Sequence, residues 1–251
     1  MCYLFWTMES KTALVTGSTS GIGRAIAAAL AADGVRVAVS GRDTRRGEAV
    51  AREIGGVFVA ADLGASAEAA RDLAERATEA LGGRIDILVN NAGVYPGGAT
   101  AELSDADADA LLGVNVRAPH ELVAAIAPAM ARRGEGVIVN VGSWISRVGM
   151  PQGALYGATK AAVEQLTRSW AAEFGPSGVR VNAVSPGVTR TEGTAAAVAV
   201  LEGMAARTPA RRVGEAEDVA AAVLWLAGDG AAFVHGATID VDGGALNTYA
   251  A

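Results

Sequence analysis

Tyr156 and Lys160 stand four residues apart in Tyr156-Gly157-Ala158-Thr159-Lys160. On a helix that spacing puts both side chains on one face, one turn from each other. An ammonium beside a phenol favours the phenolate and lowers the tyrosine pKa. That turns an inert hydroxyl into a proton donor and acceptor near neutral pH. The composition adds weight to the pair. Of 21 basic residues only two, Lys11 and Lys160, are lysines. A guanidinium is bulkier, stays fully charged and cannot present the same compact donor.

A second group of residues suits phosphate. Thr16-Gly17-Ser18-Thr19-Ser20-Gly21-Ile22-Gly23 follows a short apolar run and leads directly into an alanine-rich one. Glycines let the backbone approach a pyrophosphate closely, and a helix N-terminus offers it free N–H groups and positive dipole. The spacing is Gly-x-x-x-Gly-x-Gly rather than the common Gly-x-Gly-x-x-Gly. A third group, Ser40-Gly41-Arg42-Asp43, ends the second apolar run. An acidic residue there would hold the ribose hydroxyls of NAD, and a basic one the 2′-phosphate of NADP. Asp43 lies two positions late for the acid and is expected to cap the next helix. Ser40, Gly41 and Arg42 supply a hydroxyl, an open backbone and a guanidinium suited to phosphate. The expectation is NADP(H), with NAD(H) as the alternative.

These residues need a frame. Short β-branched runs at 13–16, 35–40, 57–60, 85–90, 136–141, 179–184 and 237–241 alternate with helical patterns near 22–33, 44–54, 66–81, 105–132, 153–174 and 215–227. Such alternation predicts βαβ units and a parallel sheet covered on both faces. Ser104-Asp105-Ala106-Asp107 reads as a capping box opening the fourth helix. The expected architecture is a doubly wound α/β domain over 11–251, with residues 1–10 as an N-terminal extension. Residues 1–7 precede the ordinary entry Met8-Glu9-Ser10-Lys11 and read as an upstream addition. The segment 188–213 has no strand of its own and is expected to be a lid.

Bulk properties narrow the class. The chain has 251 residues and 51% hydrophobic content, which suits one large domain. No apolar run reaches the ~20 residues needed to cross a bilayer. A net charge of −6 gives no footprint for nucleic acid. The single cysteine, Cys2, excludes a disulfide framework and predicts a cytoplasmic protein. With two histidines, His120 and His235, it leaves little for a zinc site, and no metal is expected.

Taken together, residues 11–244 resemble the short-chain dehydrogenase/reductase family. The match rests on Thr16–Gly23, Asp62-Leu63, Asn90-Asn91-Ala92-Gly93, Asn115, Ser143 thirteen residues before Tyr156, and Pro186-Gly187 with Thr189 and Thr191. The resemblance implies hydride transfer between a dinucleotide and a ketone or secondary alcohol. Tyr156 would exchange the proton with the carbonyl oxygen, and Ser143 would orient the substrate. Lys160 would hold the nicotinamide ribose and lower the Tyr156 pKa, and Asn115 would hold a water linking Lys160 to solvent. The implied cofactor contacts are Gly17, Ser18, Thr19, Ser20, Gly21, Ile22, Gly23, Ser40, Gly41, Arg42, Asp62, Leu63, Asn91, Ala92, Gly93, Tyr156, Lys160, Pro186, Gly187, Val188, Thr189 and Thr191. Loops beyond the strand ends would line the substrate pocket with Val94, Tyr95, Trp144, Ile145, Met150 and the lid.

That lining favours an apolar or cyclic ketone. A reductase of 3-oxoacyl groups on acyl carrier protein is the nearest alternative. It is weakened because Ala172, before Glu173, stands where such enzymes tend to carry a basic docking residue. A dinucleotide-binding redox sensor without chemistry is the alternative of another class. Intact Ser143, Tyr156 and Lys160 oppose it. The resemblance also implies a homotetramer built through helices 105–132 and 153–174 and the C-terminal segment.

Overall fold

The computed structural model describes residues 8 and 10–248, so residues 1–7, read above as an upstream addition, lie outside the described residues. Seven parallel strands form one sheet in the order β3-β2-β1-β4-β5-β6-β7. They are β1 Thr12–Val15, β2 Arg36–Gly41, β3 Val57–Ala60, β4 Ile87–Asn90, β5 Gly136–Val141, β6 Val179–Pro186 and β7 Thr238–Val241. The helices are α1 Gly21–Ala32, α2 Thr44–Glu53, α3 Ala67–Ala80, α4 Asp105–Leu112, α5 Ala118–Arg133, α6 Ala154–Phe174, α7 Val198–Ala205 and α8 Ala216–Ala227.

Successive strand residues point to opposite faces. Ala13 and Val15 therefore join one apolar cluster with Ile26 and Leu30 of α1, Val50 of α2 and Val223 of α8. Leu14, between them, joins the other with Leu73 of α3, Leu122 of α5 and Trp170 of α6. A sheet buried on both faces has no polar side, which is why its strands read as continuous apolar runs. β1 pairs with both β2 and β4, so the winding reverses there and a crevice opens beyond the strand C-termini.

Two predicted segments fold differently. The expected helix 105–132 is interrupted by a π turn, Gly113–Arg117, between α4 and α5. The expected lid 188–213 is not a bare loop. It contains a short 3₁₀ turn, Glu192–Ala197, then α7, and Thr189 bridges to Gly214. The cap expected at Ser104 is present, its Oγ accepting from Asp107 N at 3.1 Å.

Candidate active site

The glycine turn after β1 holds Gly17 at φ +63 and Gly21 at φ +53, a region that favours glycine. A Cβ on Gly23 would stand 2.4 Å from both Gly17 O and Asn91 Nδ2. The turn is locked to the segment after β4. Thr16 Oγ1 accepts from Asn91 N at 3.1 Å and Ala92 N at 3.0 Å, and Asn91 Nδ2 donates to Thr16 O at 2.8 Å. Ser20 caps α1 without a side-chain hydrogen bond, so the first N–H groups of α1 stay available to an anion. One already takes one: Gly21 N donates to Glu192 Oε2, in the segment 188–213, at 2.9 Å. The dipole of α1 favours a negative charge at that place.

Ser18 departs from expectation. It is fully buried, its Oγ donating to Val15 O at 2.6 Å and accepting from Ser40 N at 3.0 Å. It braces β1 against β2 and does not face the cleft. Beside it, a Cβ on Gly41 would stand 2.6 Å from Thr19 Cγ2. Asp43 caps α2, accepting from Arg46 N at 3.0 Å and Arg46 Nε at 2.8 Å. The backbone bond from Arg46, first among several contacts, holds the Asp43 carboxyl below its ordinary pKa. Arg42 lines the cleft and has no ion-pair partner among the described residues. A guanidinium free of partners beside a glycine, next to an acid already occupied, fits a 2′-phosphate.

Between this turn and the segment 188–213 lie the candidate catalytic groups. Lys160 projects from α6 into the protein and is 5% exposed. Its Nζ donates to Val141 O at 2.9 Å and sits 5.9 Å from the centre of the Tyr156 ring. Burial pulls Lys160 down to a pKa of about 8. Tyr156 moves the opposite way from the sequence expectation. Burial pushes its phenol above its ordinary pKa, while the nearby Ser143 hydroxyl pulls it down and Tyr95 pushes it up, both by less. The lysine directs its N–H at a backbone carbonyl, and desolvation is the largest influence on the phenol.

The π turn accounts for Asn115. The widened turn carries its amide to the β4 loop, where Oδ1 accepts from Val94 N at 2.9 Å and Nδ2 donates to Val94 O at 2.9 Å. Nδ2 also donates to Thr159 Oγ1 at 3.1 Å. The amide thus ties the loop after β4 to α6 on the turn between Tyr156 and Lys160. π turns of this kind often mark functional sites.

One cleft of about 1030 Å³ gathers all but two of the residues singled out from the sequence, Ser18 and Asn115 lying behind it. It also includes Arg46 and Gln152, which sequence reasoning did not single out, and Leu201 and Met204 from the segment 188–213. Apart from Lys160, its charged side chains cluster at the β2 and β3 ends, with Arg42, Asp43, Arg46 and Asp62. Beyond Tyr156 the wall is Val94, Tyr95, Trp144, Ile145, Met150, Leu201 and Met204, none of them charged. Tyr95 Oη donates to Gly193 O at 3.2 Å and so spans from the β4 loop to the segment 188–213.

Comparison with known proteins agrees with this geometry. The family described as Enoyl-(Acyl carrier protein) reductase matches residues 17–246. A solved structure of a short chain dehydrogenase/reductase family protein is 48% identical, with a TM-score of 0.90 over 96% of this chain and 100% of that one. The chain belongs to the short-chain dehydrogenase/reductase family. A 3alpha-hydroxysteroid dehydrogenase of Mediterraneibacter gnavus is 36% identical over 96% of this chain and 99% of its own length. A short chain dehydrogenase from Burkholderia cenocepacia, solved in complex with NADP, is 38% identical with a TM-score of 0.87, covering 95% of this chain and 99% of that one. As a member of this family the chain is an oxidoreductase of alcohol or ketone groups that uses a nicotinamide dinucleotide. Among its described residues no helix is long and apolar enough to cross a membrane.

Proposed function

We propose that this short-chain dehydrogenase/reductase reduces an apolar or cyclic ketone, or oxidises the matching secondary alcohol, with NADP(H). The observation that carries the reading is the place of Tyr156. It shares with Ser143 and Lys160 the one cleft in which the glycine turn meets an uncharged, partly aromatic wall. When bound, the dinucleotide supplies hydride to the carbonyl carbon or accepts it in the reverse direction. In reduction, Tyr156 gives its proton to the carbonyl oxygen and Ser143 holds that oxygen by a hydrogen bond. Lys160, at about pKa 8, is largely protonated at neutral pH and supplies both a donor and a positive charge. In the alcohol direction the phenol must act as a base near pH 7. That requires about 4 kcal/mol of stabilisation relative to a free phenol. Burial opposes it, so Ser143, Lys160 and the cationic ring of the oxidised dinucleotide must together provide it.

The uncharged wall beyond Tyr156 supports an apolar substrate, because an acid or sugar phosphate placed there would lose its hydration without a partner. Arg42 and the side-chain-free backbone at Gly41 support NADP(H), as does the NADP held by the Burkholderia relative. A homotetramer remains part of the proposal, to be read from the mass in solution. The test is oxidation of NADPH and NADH against aliphatic ketones, cyclic ketones and acyl thioesters, with Tyr156→Phe as control. The expected result is turnover of cyclic or aliphatic ketones with NADPH, abolished in Tyr156→Phe while NADPH binding persists. Turnover confined to acyl thioesters would give the site to a carrier-bound substrate. Tight NADPH binding with no turnover of any carbonyl would make the protein a sensor.

A further inference from the structure

Glu164 lies four residues beyond Lys160 and eight beyond Tyr156, so α6 presents the three side chains along one face. It is 6% exposed. Burying a carboxylate costs several kcal/mol unless it is paired, and an apolar side chain of similar size would be cheaper there. Glu164 is paired with a single short segment. One carboxylate oxygen accepts from Ser146 Oγ and lies 3.6 Å from Arg147 Nε. The same oxygen would stand 3.6 Å from a Cβ on Gly142. The carboxylate therefore sits against the stretch 142–147, which begins where β5 ends.

That stretch carries Ser143, which starts the 3₁₀ turn Trp144–Arg147. Its other end is tied across the sheet. Arg147 bonds Asp240 of β7 through both terminal nitrogens, and Asn247 Nδ2 donates to the same carboxylate at 2.6 Å. Ser143 itself has weak local restraint, its Oγ accepting from Ile145 N at 3.4 Å. The turn also lies close to α6, because a Cβ on Gly157 would stand 3.2 Å from Ile145 O.

We propose that Glu164 is a positioning residue that, through Ser146 and Arg147, holds Ser143 and the pocket residues Trp144 and Ile145 in register with Tyr156. The inference rests on the reading of Tyr156 as the proton-exchanging group. Tyr156 faces Lys160 from its own helix, Ser143 from the end of β5 and Tyr95 from the β4 loop. Glu164 faces Ser146 and Arg147, and Arg147 in turn faces Asp240 and Asp242. Loosening the turn would let the Ser143 hydroxyl drift from Tyr156 and lose its downward pull on the phenol pKa. The base needed for alcohol oxidation would then form only at higher pH.

Two measurements test this, one of them independent of turnover. Protein labelled with 5-fluorotryptophan, with the Trp144 signal assigned through Trp144→Phe, reports the turn by ¹⁹F NMR. Glu164→Ala and Ser146→Ala are expected to move or broaden that signal, and Glu164→Gln, which keeps an oxygen for Ser146, to restore most of it. In alcohol oxidation the same two alanine variants should lose about tenfold or more in kcat with little change in NADPH affinity. Their pH profile should move alkaline by about 0.5 pH unit or more, as in Ser143→Ala. Should Glu164→Ala fail to fold, Ser146→Ala on the half-exposed turn decides. An unchanged Trp144 signal in the alanine variants overturns the proposal. A moved signal with an unmoved pH profile also overturns it, since the turn would then matter to stability alone. Absence of carbonyl turnover in the wild type would instead count against the proposed activity, and the NMR result would still stand or fall separately.

Discussion

Replacing Lys160 by methionine should make the protein more stable and inactive at once. Lys160 is buried, its only hydrogen bond among the described residues is to Val141 O, and burial alone lowers its pKa from 10.5 to about 8. That difference corresponds to about 3 kcal/mol of penalty for keeping the folded lysine charged at neutral pH. Methionine has a similar volume and removes the penalty. It also removes the bond to Val141 O, which offsets about 1–2 kcal/mol. The net gain is about 1–2 kcal/mol, or ~3–6 °C in Tm for a domain of this size. The dependence on pH fixes the origin of the gain. Below pH 8 lysine is protonated folded and unfolded, so the full penalty applies. Between about 8 and 10.5 only the unfolded state holds the extra proton, so wild-type stability rises relative to the variant as pH rises. Urea unfolding of both proteins at pH 7 and pH 9.5 measures this. A variant less stable than wild type at pH 7, or a difference that does not shrink by pH 9.5, would refute the account of Lys160 as a strained buried cation.

Three further outcomes follow from other parts of the molecule. Gly41→Asp with Arg42→Ala should move the ratio of the two Michaelis constants toward NADH by at least about tenfold, because an acid would meet ribose hydroxyls and repel a 2′-phosphate; an unchanged ratio removes Arg42 from that role. Gly23→Ala should destabilise the fold by about 2–4 kcal/mol and weaken dinucleotide binding, since its Cβ meets Gly17 O and Asn91 Nδ2 at 2.4 Å; thermal melting and NADPH fluorescence titration read both effects. Asp86 is buried between β1 and β4; burial pushes its carboxyl up, but Arg84 and Thr12 outweigh it and hold the pKa below 3.8. Its contribution is therefore present above pH 4 and is lost as pH falls through the lowered value. Asp86→Asn should cost about 1–3 kcal/mol at pH 7 and progressively less below pH 4, by denaturation at the two pH values.

Much of the site was legible because its chemistry depends on short spacings. Tyr156 and Lys160 share a helix face by arithmetic alone. The glycine turn lies between a strand and a helix because a close approach to phosphate requires that order, and Asp43 caps α2 because it stands three residues before a free N–H. The parallel sheet followed from runs too uniformly apolar to have a wet face. The π turn at Gly113–Arg117 left no mark on the apolar period, since the amide of Asn115 opens it by bonding Val94, 21 residues away. Nor could the sequence say that Ser18 turns inward, which depends on how β2 lies against the first turn.

The sequence by itself determined the fold class, the dinucleotide end and the tyrosine–lysine pair, because each is written in residues that are neighbours along the chain. The tertiary structure decided the direction of the Tyr156 pKa, the inward face of Ser18 and the link from Glu164 through Arg147 to Asp240. Those rest on burial and on contacts between residues as many as 93 positions apart, which packing alone brings together.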